Sequence, residues 1–382
     1  MSRRLVHVIT PGDHYSPRTG SAIATVVHGQ CSATHSGAPR PAVVVGACTY
    51  ADRYDDAEVV EYAEAPPLSP RGRKVEALAA MLRLPRAGMR AVYAAALAGQ
   101  RDWEPSVVLV HNGPQGIPLV DPDRHVPVLY AHNQLLRTYS SHEAGRTLEG
   151  AAAIVCVSDH LAQATSDRLP PSLRDRVRVV RNGVDSRTLL PAERVPGPVL
   201  EVVFLGRTVP DKGAHVLLRA VRRLVDDGRR DVHVSVVGSS GFSAQDALTP
   251  YELSLRALVR ELGDAASLSP FVPRSQAHEV LRGADVVVVP SVWQEPFTLT
   301  ALEGMAAGAA VVASEVGGIP EAVGGAGLLV PPGDVEALAR EIAGLADDRA
   351  RLAQARAAGR AWAEANDWTE VLRRLGTALD LR

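Results

Sequence analysis

The stretch Ala284 to Pro332 narrows the fold more than any other part of the chain. It reads ADVVVVPSVWQEPFTLTALEGMAAGAAVVASEVGGIPEAVGGAGLLVPP. Four valines, Val286 to Val289, run into Pro290 without a polar residue. An apolar run without alternation suits a parallel strand covered on both faces. The loop beyond it carries Trp293 and Glu295, and a helix is predicted over Phe297–Ala307 with Pro296 in its first turn, where a missing N–H costs nothing. Glu295 then lies just before the helix and Glu303 about two turns into it. In open α/β sheets ligands bind at the carboxyl ends of strands, and the free N–H groups of a helix N-terminus attract phosphate oxygens. Gly304, Ala306, Ala307 and Gly308 give this helix a small-residue face that can lie close to its sheet.

The rest of the chain repeats this alternation. Apolar strands are predicted at Leu5–Thr10, Ala42–Ala47, Val107–His111, Val126–Tyr130, Ile154–Ser158 and Val177–Val180, with a helix from about Ser21. The Asn-Gly of RNGVD, Arg181 to Asp185, signals a turn, and Leu190 to Pro198 reads as a linker. The pattern then restarts: a strand at Val199–Leu205, a helix at Gly213–Val225, a strand at Val232–Val237, a helix at Tyr251–Leu262, and a last regular helix of this half capped by Asp334. Alternation of this kind implies doubly wound parallel sheets, and 382 residues are too many for one core.

Bulk properties exclude several classes. Formal charge is −2, so nothing draws the chain as a whole to nucleic acid. Lys74 and Lys212 are the two lysines among 41 basic residues, which makes each worth weighing. The cysteines Cys31, Cys48 and Cys156 are odd in number and far apart, better read as reduced thiols than as bridges or a zinc site. No apolar run approaches the ~20 residues that span a bilayer, and a cytoplasmic protein is expected. Arg71 to Arg90 is a basic stretch (Arg71, Arg73, Lys74, Arg83, Arg86, Arg90) that could meet an anionic membrane; a solvated helix face is the plainer reading.

A second loop carries chemistry. LGRTVPDKG, Leu205 to Gly213, leaves a strand and enters a helix, placing Arg207 and Lys212 at a strand's carboxyl end. An arginine fork and a lysine point charge suit a diphosphate. His132 in VLYAHNQ also follows a strand, with His111 in VLVHNGP second to it; a lone histidine there is more often structural. Ser158 reads as a helix cap. Asp121-Pro-Asp123 has the look of a metal-binding Asp-x-Asp, but its proline and position make it a turn.

Glu295 and Glu303 in EPFTLTALEGMA resemble the Glu-x7-Glu motif of retaining glycosyltransferases of family 4, and GGIPEAV, Gly317 to Val323, resembles that family's next segment. The family's G-R-x-x-x-x-K-G pattern is met at Gly206, Arg207, Lys212 and Gly213, and the closing NDWTEVLRRL resembles its terminal helix. The resemblance implies the α/β fold called GT-B, two Rossmann-like doubly wound domains facing across a cleft: an acceptor-binding domain at 1–186 with the helix at about 365–382, and a donor-binding domain at 187–364. It implies transfer of a hexose-type sugar from a nucleoside diphosphate sugar, UDP-sugar being expected, with no other cofactor and no essential metal.

By the same match Arg207 and Lys212 would hold the leaving diphosphate, with backbone N–H groups of Phe297, Thr298 and Leu299 completing the cradle. Glu303 would bind the ribose hydroxyls and Glu295 the transferred sugar. His132 would contact that sugar. Gly20 in PRTGSA would approach phosphate and acceptor, although the family's Gly-Gly is Thr19-Gly20 or Gly20-Ser21 here. The base would be read by main chain around Phe271 to Arg274, at Val272. The family usually has glycine where Thr298 stands, which puts the local backbone fit at issue. The acceptor is expected to be a small soluble molecule, a specialised metabolite in keeping with the arginine- and alanine-rich coding bias. Three alternatives stay open: a sugar-nucleotide epimerase of similar architecture, a donor-binding protein without turnover, and transfer to a membrane lipid or polysaccharide.

Overall fold

The computed structural model describes residues 3–63, 69–81, 86–193 and 197–380. The chain separates into two compact units, one running to Arg181 and resuming at Trp368, the other Asn182–Asp367. Arg83 of the basic stretch and residues 194–196 of the expected linker lie outside the described residues.

The first unit is built on a parallel sheet of β1 (Arg4–Val8), β2 (Ala42–Gly46), β3 (Glu58–Tyr62), β4 (Ser106–His111), β5 (Val126–Ala131), β6 (Ala153–Cys156) and β7 (Val177–Val179). Their spatial order is β3-β2-β1-β4-β5-β6-β7. The apolar runs become its interior: Val43 to Val45, Val107 to Val110, Val128 and Leu129 are all sealed from solvent, as a sheet covered on both faces requires. β3 is not among the strands expected from sequence. It is an edge strand, EVVEY, whose Glu58 and Glu61 face water, and an edge needs no continuous apolar run. The final helix, Trp368–Ala378, belongs to this unit and packs against the helix Ala22–Ser32, burying Trp368, Val371 and Leu375.

The basic stretch divides. Arg71 and Lys74 are exposed, beside exposed Val75 and Leu78 on the helix Pro70–Met81. Arg86 is not available to an anionic surface: its Nε lies 2.6 Å from Glu143 Oε1 and its guanidinium stacks 4.0 Å from the Tyr139 ring centre. Among the described residues no helix is long and apolar enough to cross a membrane. Cys31 and Cys156 are buried thiols, and Cys48 is exposed. Asp121 does close a turn, its carboxylate accepting from the Asp123 N–H and its carbonyl from those of Arg124 and His125.

The second unit carries β8 (Leu200–Leu205), β9 (Val232–Val237), β10 (Ala266–Ser269), β11 (Val286–Val289), β12 (Ala310–Ser314) and β13 (Leu328–Val330), all parallel, in the order β10-β9-β8-β11-β12-β13. Side chains alternate between two cores. Val202, Val286, Val288 and Val312 enter one; Val203, Val287, Val289 and Val311 enter the other. Each fully buried valine contributes about 1.5–3 kcal/mol of transfer free energy, an upper estimate. The helix Ala214–Asp226 buries the expected Val216, Leu217, Ala220, Val221 and Leu224. Asp334 caps the helix Val335–Asp347, its Oδ1 accepting from the Ala337 N–H at 2.9 Å. That helix is not the last of this unit, as the sequence suggested. Arg349–Ala365 follows it, capped by Asp348. Its alanine and arginine composition gives a weak apolar stripe, with Leu352, Gly359 and Ala363 as its buried contacts.

Candidate functional site

Strand order in the second unit reverses between β8 and β11, and such a switch point opens a crevice at the carboxyl ends. The loop after β8 carries Arg207 and Lys212; the loop after β11 carries Glu295. Two features draw these loops together. Gly213 has a left-handed backbone, φ 73°, and an added Cβ would stand 1.9 Å from the Pro290 carbonyl oxygen. The Val292 N–H also donates to the Asp211 carbonyl at 2.9 Å. The result is a short ion pair: Lys212 Nζ lies 2.6 Å from Glu295 Oε1, which also accepts from Ser291 Oγ at 2.9 Å. Glu295 is 3 % exposed, and a buried carboxylate must be compensated in this way. Gly213→Ala is therefore expected to destabilise the unit by at least about 1–2 kcal/mol from the left-handed backbone alone, and to displace Lys212. Thermal unfolding of the variant checks this.

Glu295 is held from its backbone as well. Gly318 N–H donates to the Glu295 carbonyl at 2.7 Å. Gly317, at φ 60°, brings the chain so near that a Cβ would meet that carbonyl oxygen at 2.3 Å. The glycines of GGIPEAV thus serve as a brace for the glutamate of the preceding loop.

The helix after Glu295 is shorter than expected, Leu299–Ala306. Bonds to Glu295 and an extended Thr298 (φ −129°, ψ 112°) keep the chain out of helix until Leu299. Pro296 is therefore a loop residue, not a first-turn proline, and Glu303 lies about one turn into the helix rather than two. Leu299 opens the first turn, while the N–H groups of Phe297 and Thr298 precede it. Thr298 occupies an extended conformation open to any residue, so threonine in place of the family's usual glycine brings no strain.

Glu303 is not left to solvent: Arg274 Nη2 donates to its Oε1 at 2.8 Å. The sequence suggests main-chain contacts for the segment that ends at Arg274, whereas the Arg274 side chain reaches the second glutamate. In the same segment the Phe271 N–H is taken by Ser239 Oγ at 3.0 Å, and Val272 is half-buried.

Arg207 is positioned through Glu252, which is not among the site residues expected from the sequence. Its Nε donates to the Ser240 carbonyl at 2.8 Å, and Ser240 N–H donates to Glu252 Oε1 at 2.8 Å. Thr208 Oγ1 donates to the same oxygen at 3.0 Å, and the other oxygen accepts from the Thr249 N–H and hydroxyl. Burial would raise the Glu252 pKa, yet these donors together bring it down to about 2. The carboxylate thus ties the Arg207 loop, at Thr208, to the loop after β9, at Ser240. The capping pattern Thr249-x-x-Glu252 was the available signal. Gly206 N–H bonds the Val237 carbonyl at 3.1 Å, keeping the start of that loop on the sheet.

The first unit holds the remaining candidates. Gly20 is exposed, next to Ser21, which caps the helix Ala22–Ser32 and donates through Oγ to Asp13 at 2.7 Å. His132 follows β5 and is buried. Its Nε2 lies 2.8 Å from His111 Nδ1, and His111 Nε2 lies 3.0 Å from His7 Nδ1. His111, ranked second from sequence, and His7, not singled out at all, are thus both joined to His132. Ser158 caps its helix, accepting from the Leu161 N–H at 3.0 Å.

Comparison with known proteins follows the same lines. Residues 186–362 match the family described as glycosyl transferases group 1. The chain is 31% identical over 281 residues to D-inositol 3-phosphate glycosyltransferase 1 of Catenulispora acidiphila, 68% of this chain and 66% of that protein. It is 35% identical over 270 residues to alpha-maltose-1-phosphate synthase of Mycolicibacterium smegmatis, 61% of this chain and 67% of that one. The alignments span 66%, 54% and 60% of three inositol-phosphate relatives, less than two thirds of each. In three dimensions it is similar to Anabaena HepE, solved with UDP and glucose, at TM-score 0.70, 19% identity and 99% coverage of both chains.

Proposed function

The chain belongs to the glycosyl transferases of group 1, built as the two Rossmann-like units of the GT-B fold, and from that premise we propose that it moves a hexose from UDP-hexose to an acceptor hydroxyl with retention of configuration. The observation that carries this reading is the Lys212–Glu295 pair at the β8/β11 switch point. A cation and a carboxylate 2.6 Å apart offer a diphosphate and a sugar ring adjoining partners.

In this reading the C1–oxygen bond to the diphosphate breaks, the C1–oxygen bond to the acceptor forms on the same face, and the acceptor proton passes to the departing phosphate oxygen. Lys212 and Arg207 neutralise the charge that grows on the leaving group, which is where fixed charge lowers a barrier most. The N–H groups of Phe297, Thr298 and Leu299 add to them, and the reading calls on no metal. Glu303 holds the ribose hydroxyls, its orientation set by Arg274. Glu295 faces the sugar, and its ionised form would favour the positive character developing at the ring. His132 hydrogen-bonds the sugar and Gly20 admits the phosphate. The acceptor is proposed to be a small polyol or sugar, in keeping with the inositol phosphate and maltose phosphate in the two relatives' names.

The deciding experiment incubates the protein with UDP-, GDP- and ADP-hexoses, with and without a panel of free and phosphorylated polyols, and follows nucleotide release and product mass. UDP release that depends on an acceptor, giving an α-linked product from an α-configured donor, is the expected result. Donor converted without any acceptor would replace the reading by epimerisation, and donor bound without turnover would replace it by a binding function.

A further inference from the structure

Three imidazoles stand nitrogen to nitrogen across neighbouring strands of the first unit. His7 is on β1, His111 ends β4, and His132 follows β5; strand order reverses between β1 and β4. The register sets His7 opposite Leu109 and His111 opposite Tyr130. Because side chains alternate along a strand, His7, His111 and His132 emerge on one face. They link as His7 Nδ1 to His111 Nε2 at 3.0 Å and His111 Nδ1 to His132 Nε2 at 2.8 Å. Tyr130 stacks on both His111 and His132. The turn is pinned by Asn112, a left-handed residue at φ 54°, whose Oδ1 accepts from the His132 backbone N–H at 2.8 Å. A non-glycine residue in that conformation is uncommon, although asparagine tolerates it best.

Two neutral polarities are open to such a series. In one, each ring carries its proton on Nε2, so that His132 donates to His111 and His111 to His7. His7 would then hold a proton on its own Nε2, a fully buried atom with no hydrogen-bond partner among the described residues. In the other, every ring is protonated on Nδ1. His7 donates to His111, His111 donates to His132, and the inner end leaves only an unshared lone pair. Native proteins tolerate an unpaired buried acceptor better than an unpaired buried N–H. A charged ring is disfavoured, since burial lowers the pKa of all three and the neighbouring imidazoles lower those of His111 and His132 further; the carboxylate of Asp56 acts on His7 in the opposite, weaker sense.

We propose that His111, with His7 behind it, is the positioning residue: the hydrogen-bonded series, given direction by having a buried, unpartnered inner end, fixes His132 as a neutral ring that presents an N–H donor at Nδ1. An Nδ1 donor recognises a hydroxyl or phosphoryl oxygen, and it cannot serve as the base that takes a proton from the acceptor. The assignment deepens the proposed role of His132 toward the transferred sugar and rests on that reading for its use in catalysis, but the tautomer stands on the geometry alone.

The test is nitrogen-15 NMR of the imidazole rings in the intact, ligand-free protein at pH 7, with signals assigned through single His7, His111 and His132 substitutions. Expected are three neutral rings, each protonated at Nδ1 and bare at Nε2. A proton on His132 Nε2, or an imidazolium at any of the three, overturns the proposal. In His7→Leu the His132 ring should keep its Nδ1 proton, because His111 then holds the unpaired lone pair; a switch to Nε2 would also overturn it. The wild-type spectrum decides even if a variant fails to fold. Since no substrate is present, the result does not depend on whether UDP-hexose is the donor.

Discussion

Lys212→Ala is expected to lower kcat/KM for sugar transfer by about 10²–10³-fold, the usual loss when one fixed donor to a developing charge is removed. The size of the effect follows from where the ammonium lies. It is partly open to solvent, with 34 % of its side chain exposed, so it can meet a ligand, while the carboxylate it faces is sealed. A surface ion pair would be worth little. Here, removal of Lys212 also leaves Glu295 with Ser291 as its one remaining side-chain partner among the described residues, a buried carboxylate short of a counter-charge. The single variant should therefore lose stability as well as turnover, and the two must be separated. Lys212→Ala combined with Glu295→Ala removes both charges together, so it should recover most of the lost Tm and none of the activity. Measured side by side, Tm would fall and return while UDP release stays low throughout. Near-normal turnover in Lys212→Ala, at any Tm, removes Lys212 from the site.

How much of this could be read beforehand depends on what kind of signal each feature leaves. The central strands were legible because burial on both faces forces a continuous apolar run, as in Val286 to Val289. Edge strand β3 was not, since its glutamates face water and its pattern matches a solvated loop. The helix Arg349–Ala365 escaped for a related reason: packing by Gly359 and Ala363 needs small residues, not an apolar stripe. Lys212 carries its signal in its spacing from Gly206 and Gly213, and Glu295 in its spacing from Glu303, while Gly213 and Gly317 turn out to be where backbone meets backbone. Non-local partners left no such trace. Arg274 meets Glu303 across 29 positions and Glu252 meets Thr208 across 44. The expected helix start at Phe297 was misplaced because proline favours a first turn, while the hold on Glu295 from Gly318 was invisible in one dimension. His7 was unreadable as a partner of His132 for the same reason: 104 residues separate it even from His111.

The histidine series should also make the first unit acid-sensitive, at a pH well above carboxylate titration. In the folded chain His7 has its pKa lowered to about 4 and His132 to about 3, with His111 also well below 6.5; burial is the main cause for each. In the unfolded chain each returns to about 6.5. Between these values the unfolded state binds protons that the folded state refuses. The sign is then fixed: stability is whole above pH 6.5 and is lost as pH falls from 6.5 toward 4. Each ring contributes a slope of about 1.4 kcal/mol per pH unit, so three together approach ~4 kcal/mol per unit. Against a typical domain stability of about 5–15 kcal/mol, that is enough to unfold the unit near pH 5. Asp13, whose carboxyl is raised by burial, works in the opposite direction and blunts the effect at the acid end. Because two units need not unfold together, the measurement is hydrogen exchange of β4 and β5 amides at pH 7.0, 6.0 and 5.5, in wild type and in His7→Leu. The variant should lose one proton's worth of slope, about 1.4 kcal/mol per pH unit, whatever its stability at pH 7. Equal slopes in the two proteins would mean that His7 is not a buried neutral imidazole, and the series would lose the inner end that gives it direction.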